Sequence, residues 1–159
     1  MRGSERFTQR ASTAITKAHD AAMGMGHSYV GTEHLLLGII REGEGLGARI
    51  LTDNALTDAV LTRMVTETVG RGVPGAPEQG LSPRARHVIE LAAEDANRLG
   101  HCYVGTEHIL MGILREADSA GARIIVAAGG AARLGPRRRL LRPGLILRPP
   151  EHVHDVRVD

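Results

Sequence analysis

The sequence Gly-His-Ser-Tyr-Val-Gly-Thr-Glu-His at Gly26–His34 returns as Gly-His-Cys-Tyr-Val-Gly-Thr-Glu-His at Gly100–His108, 74 residues further along the chain. Extended to Gly26–Glu42 and Gly100–Glu116, the two stretches agree at 13 of 17 positions. The shared residues include histidine, threonine, glutamate and arginine, which a helical core does not require. A repeat at a fixed period identifies a repeated structural unit. The chain is therefore a tandem duplication, and two copies of one polar constellation predict two copies of one site.

Composition limits the class of protein. A chain of 159 residues has the size of one ordinary domain, and its 2% aromatic content requires an aliphatic core and offers no stacking platform for nucleic acid. The net charge is +2, with much of the basic excess after Ala132, so a nucleic-acid partner is not expected. The single cysteine, Cys102, excludes an internal disulfide. Without an apolar run of about 18 residues or a signal peptide, we expect a cytoplasmic protein with no membrane partner.

Each half begins with an amphipathic helix. Thr8 precedes apolar or small residues at the i, i+3, i+4, i+7 spacing, and Ser82-Pro83 begins the equivalent segment with a hydroxyl N-cap and proline at the first helical position. Both helices are predicted to end near a glycine, Gly26 or Gly100.

Further helices follow in each half. Thr32 and Thr106 are predicted to cap second helices that are apolar nearly all round and therefore belong in the interior. Third helices are predicted at about 46–54 and 120–128, and Thr57 is predicted to cap a fourth helix in the first half. In the second half, Gly135-Pro136 would break the equivalent helix.

These patterns predict an all-α fold built from a tandem repeat of two four-helix units, with the last helix of the second repeat degraded. We divide the chain into a first repeat (1–72), a glycine- and proline-rich linker (73–80), a second repeat (81–132) and an Arg/Pro-rich tail (133–159). Two interpretations of the tail stay open. Its apolar residues substitute for the missing helix and prevent self-association, or the tail is a disordered relic.

The motifs resemble a known family. The opening Arg-Phe-Thr-Gln-Arg-Ala (6–11), the restart Ser-Pro-Arg-Ala (82–85) and the doubled Gly-His-x-Tyr-Val-Gly-Thr-Glu-His are similar to the N-terminal domain of Clp ATPases, most closely the ClpC type. The resemblance covers about 6–128 and implies a pseudo-twofold double Clp-N fold. The sequence has no Gly-x-x-x-x-Gly-Lys-[Ser/Thr] phosphate loop, so we expect a free-standing Clp-N domain that neither binds nor hydrolyses ATP.

The repeated residues predict a site for a ligand that carries both charges. A helix N-terminus attracts anions, and each repeat places an arginine in the first turn, Arg10 after Thr8 and Arg84 after Ser82. Glu33 and Glu107 are carboxylates suited to a guanidinium group. The resemblance implies that the ligand is phosphoarginine on marked substrates and, by residue matching, pairs Glu33 with Thr8 and Glu107 with Ser82.

The resemblance makes Clp protease components or their substrates the expected partners, and phosphoarginine proteins the expected ligands. It also implies an alternative, in which the chain sequesters cyclic-peptide antibiotics at a face containing Leu81, Pro83, Arg86 and Glu90. A third interpretation is a truncated ClpC relic.

The sequence does not favour metal binding or nucleophilic catalysis. Thr-Glu is also a good helix start, and His34 and His108 are expected to hydrogen-bond the preceding loop rather than a ligand. The histidine spacing does not match a zinc site, so no metal and no cofactor are expected. Cys102 corresponds to Ser28 in the other repeat, which favours a filler over a nucleophile. We therefore expect a binding module and not an enzyme.

Overall fold

The computed structural model describes residues 6–128, which form seven α-helices and two short strands. In chain order they are α1 (Gln9–Gly24), β1 (Tyr29–Val30), α2 (Thr32–Glu42), α3 (Leu46–Asp53), α4 (Asp58–Val69), β2 (Gly80–Leu81), α5 (Pro83–Arg98), α6 (Thr106–Arg115) and α7 (Ala120–Ala127). The predicted all-α class and double repeat are confirmed. The tail (133–159) and the degraded fourth helix lie outside the described residues. No helix within 6–128 has the length and hydropathy needed to cross a bilayer.

Hydroxyl caps fix the starts of four described helices, and the sequence predicts three of them; the fourth cap is Ser119 at α7. The Thr8 side chain accepts a hydrogen bond from the Ala11 N–H at 3.0 Å, and the Ser82 side chain accepts one from the Ala85 N–H at 3.1 Å. Thr57 caps α4 in the same way. A cap satisfies one of the N–H groups that the first turn leaves without a partner, so these positions could be predicted closely.

The threonines of the repeated motif do not act as caps, contrary to the prediction. Gly31 and Gly105 occupy the N-cap positions of α2 and α6. The Thr32 hydroxyl instead accepts a hydrogen bond from the Gly121 N–H at 2.8 Å, which places it against α7 of the other repeat. Thr106 accepts the equivalent bond from Gly47 of α3 at 2.9 Å. Each threonine therefore joins the two repeats.

Helices α2 and α6 form the centre of the core, as their apolar sequences predict. Leu35, Leu36 and Leu37 are buried, as are Ile109 and Leu110 of the second repeat. The helix crossings are very close at two glycines. A Cβ at Gly38 would lie 2.0 Å from the Ala14 carbonyl oxygen, and one at Gly112 would lie 2.7 Å from that of Val88. Only glycine permits α1 and α5 to approach the central helices at these points.

The extended segments cross between the repeats. β1 and β2 pair in parallel, with Val30 opposite Leu81, and Phe7 forms the equivalent bridge with Val104. The first helix of each repeat therefore begins beside the Gly-Thr-Glu-His motif of the other repeat, and this exchange determines how the site is assembled.

Candidate functional site

An open pocket of about 570 Å³ lies where the two repeats meet. Its walls come from the loop before α2, the first turn of α2, the end of α4 and the chain that follows it, and the start of α5. The polar residues of its lining include Glu33, Ser82 and Arg84, and the apolar residues Tyr29, Val69 and Val73 form another part of it.

Glu33 supplies the negative charge of the pocket. It stands in the first turn of α2, and its side chain is 14% exposed. The carboxylate folds back over Gly31, since a Cβ built on Gly31 would lie 2.5 Å from Glu33 Oε1. A side chain at position 31 would therefore displace the carboxylate. Gly105 and Glu107 have the same relation.

Ser82 and Arg84 line the pocket where α5 begins. Pro83 has no N–H, and the Ala85 N–H is bonded to the Ser82 hydroxyl. The Arg84 N–H at the α5 N-terminus has no acceptor within 6–128. The Arg84 side chain is exposed and forms no ion pair with another described residue. One pocket thus holds a carboxylate, a guanidinium and a helix N-terminus.

The structure corrects the predicted pairing of site residues. Glu33 shares its pocket with Ser82 rather than with Thr8, because the Ser82 N–H donates to the Val30 carbonyl at 2.9 Å. The Thr8 N–H donates to the Val104 carbonyl at 3.0 Å, next to the motif that contains Glu107. The repeats identify equivalent residues, but sequence identity does not reveal whether partners come from the same copy. The glutamate and the hydroxyl residue of each pair therefore come from different copies.

The second copy of the site differs in exposure and contacts. Glu107 is buried, at 2% exposure, and its Oε2 lies 3.9 Å from His108 Nδ1. Thr8 is also buried. Arg10 donates from Nη1 to the Glu44 carbonyl at 3.4 Å, so its guanidinium already has a contact on the α2–α3 loop.

The motif histidines hold the pocket loop, as predicted. The Gly31 N–H donates to His34 Nδ1 at 2.9 Å, which leaves the proton of the neutral ring on Nε2. His34 Nε2 then donates to His27 Nδ1 at 2.8 Å, and His27 Nε2 donates to the Gly70 carbonyl at 2.9 Å. Donors and acceptors alternate without conflict from the α2 N-terminus to the α4 C-cap. His101 and His108 repeat the inner part of this chain of bonds.

Burial is the main cause that lowers the pKa of His34 from 6.5 to about 4, and charge on the neighbouring His27 lowers it further. His34 is therefore neutral near pH 7, as the hydrogen bond from Gly31 requires.

Residues 70–80, which we call the strap, pack against the pocket loop. The Gly72 N–H donates to the Met25 carbonyl at 2.8 Å, and the Gln79 N–H donates to that of Ser28 at 2.6 Å. Glu78 also bonds His19 of α1. The sequence predicted a linker from its glycines and prolines but gave no sign that it forms a pocket wall. Gly26 and Gly72 are in tight contact, which requires glycine at both positions. The glycine content of the segment does not show which of its glycines make such a contact.

The residues of the predicted cyclic-peptide face lie at the start of α5. Pro83, Arg86 and Glu90 are exposed, and Leu81 is half-buried in β2. Arg86 donates to the Leu81 carbonyl at 3.2 Å. Binding of cyclic peptides at this face stays a prediction. Within 6–128, no three His, Cys, Asp or Glu residues are grouped as a metal site would require.

The fold defines a class, an all-α double repeat with an open pocket between the copies. A sequence profile of the Clp repeat (R) N-terminal domain matches residues 6–128, and the chain belongs to this family.

Several relatives are similar over the same region. "Negative regulator of genetic competence ClpC/MecB" of Bacillus subtilis is 43% identical over 120 residues, which are 76% of this chain and 15% of the relative. "Chaperone protein ClpB" of Oceanobacillus iheyensis is 41% identical over 120 residues, again 76% and 15% of the two chains. The chain thus spans about 15% of the length of these relatives.

Solved structures support the fold. The N-terminal domain of the chaperone ClpD from Arabidopsis thaliana aligns with a TM-score of 0.68 and 26% identity, over 86% of this chain and 93% of that one. The Hsp104 N-terminal domain from Candida albicans aligns with the same TM-score of 0.68 at 20% identity, over 90% and 91% of the two chains. At that identity the second match bears on the fold alone.

Proposed function

We propose that the chain is a non-enzymatic recognition module of the Clp protease system that captures protein segments carrying phosphoarginine. The observation that supports this most is the pocket in which Glu33, Ser82 and Arg84 meet. The family relationship to ClpC and ClpB makes Clp components or their substrates the expected partners.

The charges of the pocket suit both ends of a phosphorylated guanidinium. Glu33 accepts hydrogen bonds from the guanidinium nitrogens, since charge-assisted bonds to a carboxylate are strong and directional. The phosphoryl group fits the α5 N-terminus, where the Arg84 N–H and side chain supply donors and positive charge. Repulsion between Glu33 and the phosphate favours this orientation over the reverse. Binding is reversible capture, with no covalent step.

Calorimetric titration with phosphoarginine tests the proposal. We expect binding, with free arginine and phosphoserine binding much more weakly because each lacks one of the two charged ends. Glu33→Gln and Arg84→Gln should each weaken binding about 10- to 100-fold, as expected for the loss of one charge-assisted contact. Glu94→Gln, an exposed glutamate far along α5, is the matched control and should bind as the unchanged protein does.

The stoichiometry tests the second copy of the site. Two sites are expected from the repeat, and Glu107→Gln should remove the second without affecting the first. Because Glu107 is buried and Glu33 is partly exposed, the Glu33 site should fill at lower ligand concentration. No heat and no chemical-shift change at millimolar phosphoarginine would contradict the proposal.

A further inference from the structure

The pocket beside Glu33 carries more apolar surface than a phosphoarginine side chain needs. Five large apolar side chains are exposed among residues 6–128, and three of them, Tyr29, Val69 and Val73, line this pocket. Val73 is 71% exposed and Tyr29 is 50% exposed. Scattered apolar residues on a surface need no explanation, but a cluster at one pocket marks a contact surface. We call these three residues the apolar shelf.

The shelf comes from elements that already hold the charged part of the pocket. Tyr29 lies in β1, four residues before Glu33, and Val69 ends α4. Val73 belongs to the strap, which is fixed by the Gly72 bond to Met25 and the His27 bond to Gly70. The apolar and charged parts therefore face one ligand from a common, hydrogen-bonded frame.

We infer that the pocket recognises an extended peptide in which a bulky aliphatic residue lies two positions from the phosphoarginine. This inference rests on the proposed function and adds a sequence preference to it. The charged part fits the phosphoarginine, and the shelf fits the aliphatic side chain.

Pocket size and strand geometry fix the spacing. A sphere of 570 Å³ is about 10 Å across. In an extended chain, residues i and i+1 point to opposite sides, whereas i and i+2 point to the same side about 6.7 Å apart. Two side chains that enter one pocket of this size from an extended peptide are therefore two positions apart. A directly adjacent aliphatic residue points away.

Peptide titrations test this preference. The probes are Gly-rich hexapeptides with phosphoarginine and a single leucine, placed either two positions away on each side or directly adjacent, and an all-glycine peptide. We expect leucine at the second position, in one of the two directions, to tighten binding about tenfold over glycine. Adjacent leucine should leave the affinity unchanged.

The variant Val73→Ser assigns the effect to the shelf. Because Val73 is highly exposed, the substitution leaves the fold intact, and it should abolish the leucine effect while free phosphoarginine binds as before. Val126→Ser, an exposed valine of α7 outside the pocket, is the matched control and should keep the leucine effect. If free phosphoarginine binds but leucine has no effect, or acts equally from the adjacent position, this inference alone is wrong. If free phosphoarginine does not bind, the proposed function fails with it.

Discussion

His34 caps the start of α2 and also makes a second hydrogen bond, which glutamate at this helix position could not donate. Glutamate or glutamine at the third helical position accepts a bond from the N-cap N–H, and His34 Nδ1 does the same for Gly31. A neutral imidazole also has a donor on its other nitrogen. His34 uses it to bond His27, which in turn bonds Gly70. One ring thereby links the pocket loop to the strap, and a glutamate could not donate the second bond.

This arrangement predicts acid sensitivity. The folded-state pKa of His34 is about 4 and the ordinary value is 6.5, so the unfolded chain binds more protons between these pH values. The stabilisation is complete above pH 6.5 and is lost as the pH falls towards 4. The shift corresponds to about 3 kcal/mol. Urea unfolding monitored by circular dichroism at pH 7.5, 5.5 and 4.5 measures the decline.

His34→Gln separates titration from capping. Glutamine can accept the Gly31 bond but does not titrate, so the variant should lose part of the decline between pH 6.5 and 4 whatever its stability at pH 7.5. An unchanged decline in the variant would show that other groups cause the acid sensitivity.

At the scale of helices, the equivalent residues Arg41 and Arg115 bond to different helices in the two repeats. Arg41 at the end of α2 donates from Nε to Asp58 at 3.3 Å and from Nη2 to Thr62 at 2.9 Å, which ties α2 to α4. The positions equivalent to Asp58 and Thr62 in the second repeat are Ala132 and Pro136, which offer no side-chain acceptor.

The second repeat instead ties its central helix to its first. Arg115 donates from Nη1 to Asp95 of α5 at 2.6 Å, and Arg98 also bonds this carboxylate. The residue equivalent to Asp95 in the first repeat is Ala21. Asp95 is fully buried, whereas the Asp58 side chain is 52% exposed. A contact between α5 and α6 thus replaces the contact that α4 provides in the first repeat.

Asp95→Asn should therefore destabilise the protein far more than Asp58→Asn. The charges that Asp95→Asn leaves behind stay solvated, because the Arg115 and Arg98 side chains are 31% and 59% exposed. An exposed pair contributes about 0–1 kcal/mol, whereas breaking a buried pair typically costs about 3–5 kcal/mol. Because Arg115 keeps contact with Glu94 at 3.7 Å, we expect the lower end of that range. Denaturant midpoints of the two variants, compared at pH 7.5, provide the measurement. Equal losses would mean that the buried pair is not a structural contact of the second repeat.

The elements show which features the sequence could and could not predict. Helix starts at Thr8, Thr57 and Ser82 were predictable because a hydroxyl cap acts within one turn. Thr32 was misassigned as a cap, because its partner Gly121 lies 89 positions away and no local pattern reveals it. Glu33, Ser82 and Arg84 were predictable from the repeat, but the strap residues of the pocket were not. The exchange that pairs Glu33 with Ser82 depends on strand pairing between the copies, which the repeat does not reveal.

At the scale of the whole chain, the two repeats are interlocked rather than only adjacent. The Ser82 N–H bonds the Val30 carbonyl and the Thr8 N–H bonds the Val104 carbonyl. The N-cap of each repeat's first helix is therefore held by the other repeat. The threonine contacts to Gly121 and Gly47 fix the third helices in the same crossed manner. The pocket at Glu33 exists only when both repeats are docked, since its charged ends come from different copies. A ligand that contacts Glu33 and Arg84, as proposed, would therefore stabilise the docked arrangement of the repeats.

Interlocking predicts one cooperative unfolding transition that is sensitive to a single buried hydroxyl. Thr32→Val keeps the side-chain shape but leaves the buried Gly121 N–H without its acceptor, which should cost about 1–3 kcal/mol. Thr32→Ser retains the oxygen and should lose much less. Guanidinium unfolding should give one transition with an unchanged slope for both variants, because the repeats unfold together. Two resolved transitions in Thr32→Val, with only one of them shifted, would instead mean that the repeats unfold independently. The interface between them, which contains the pocket, would then be weak.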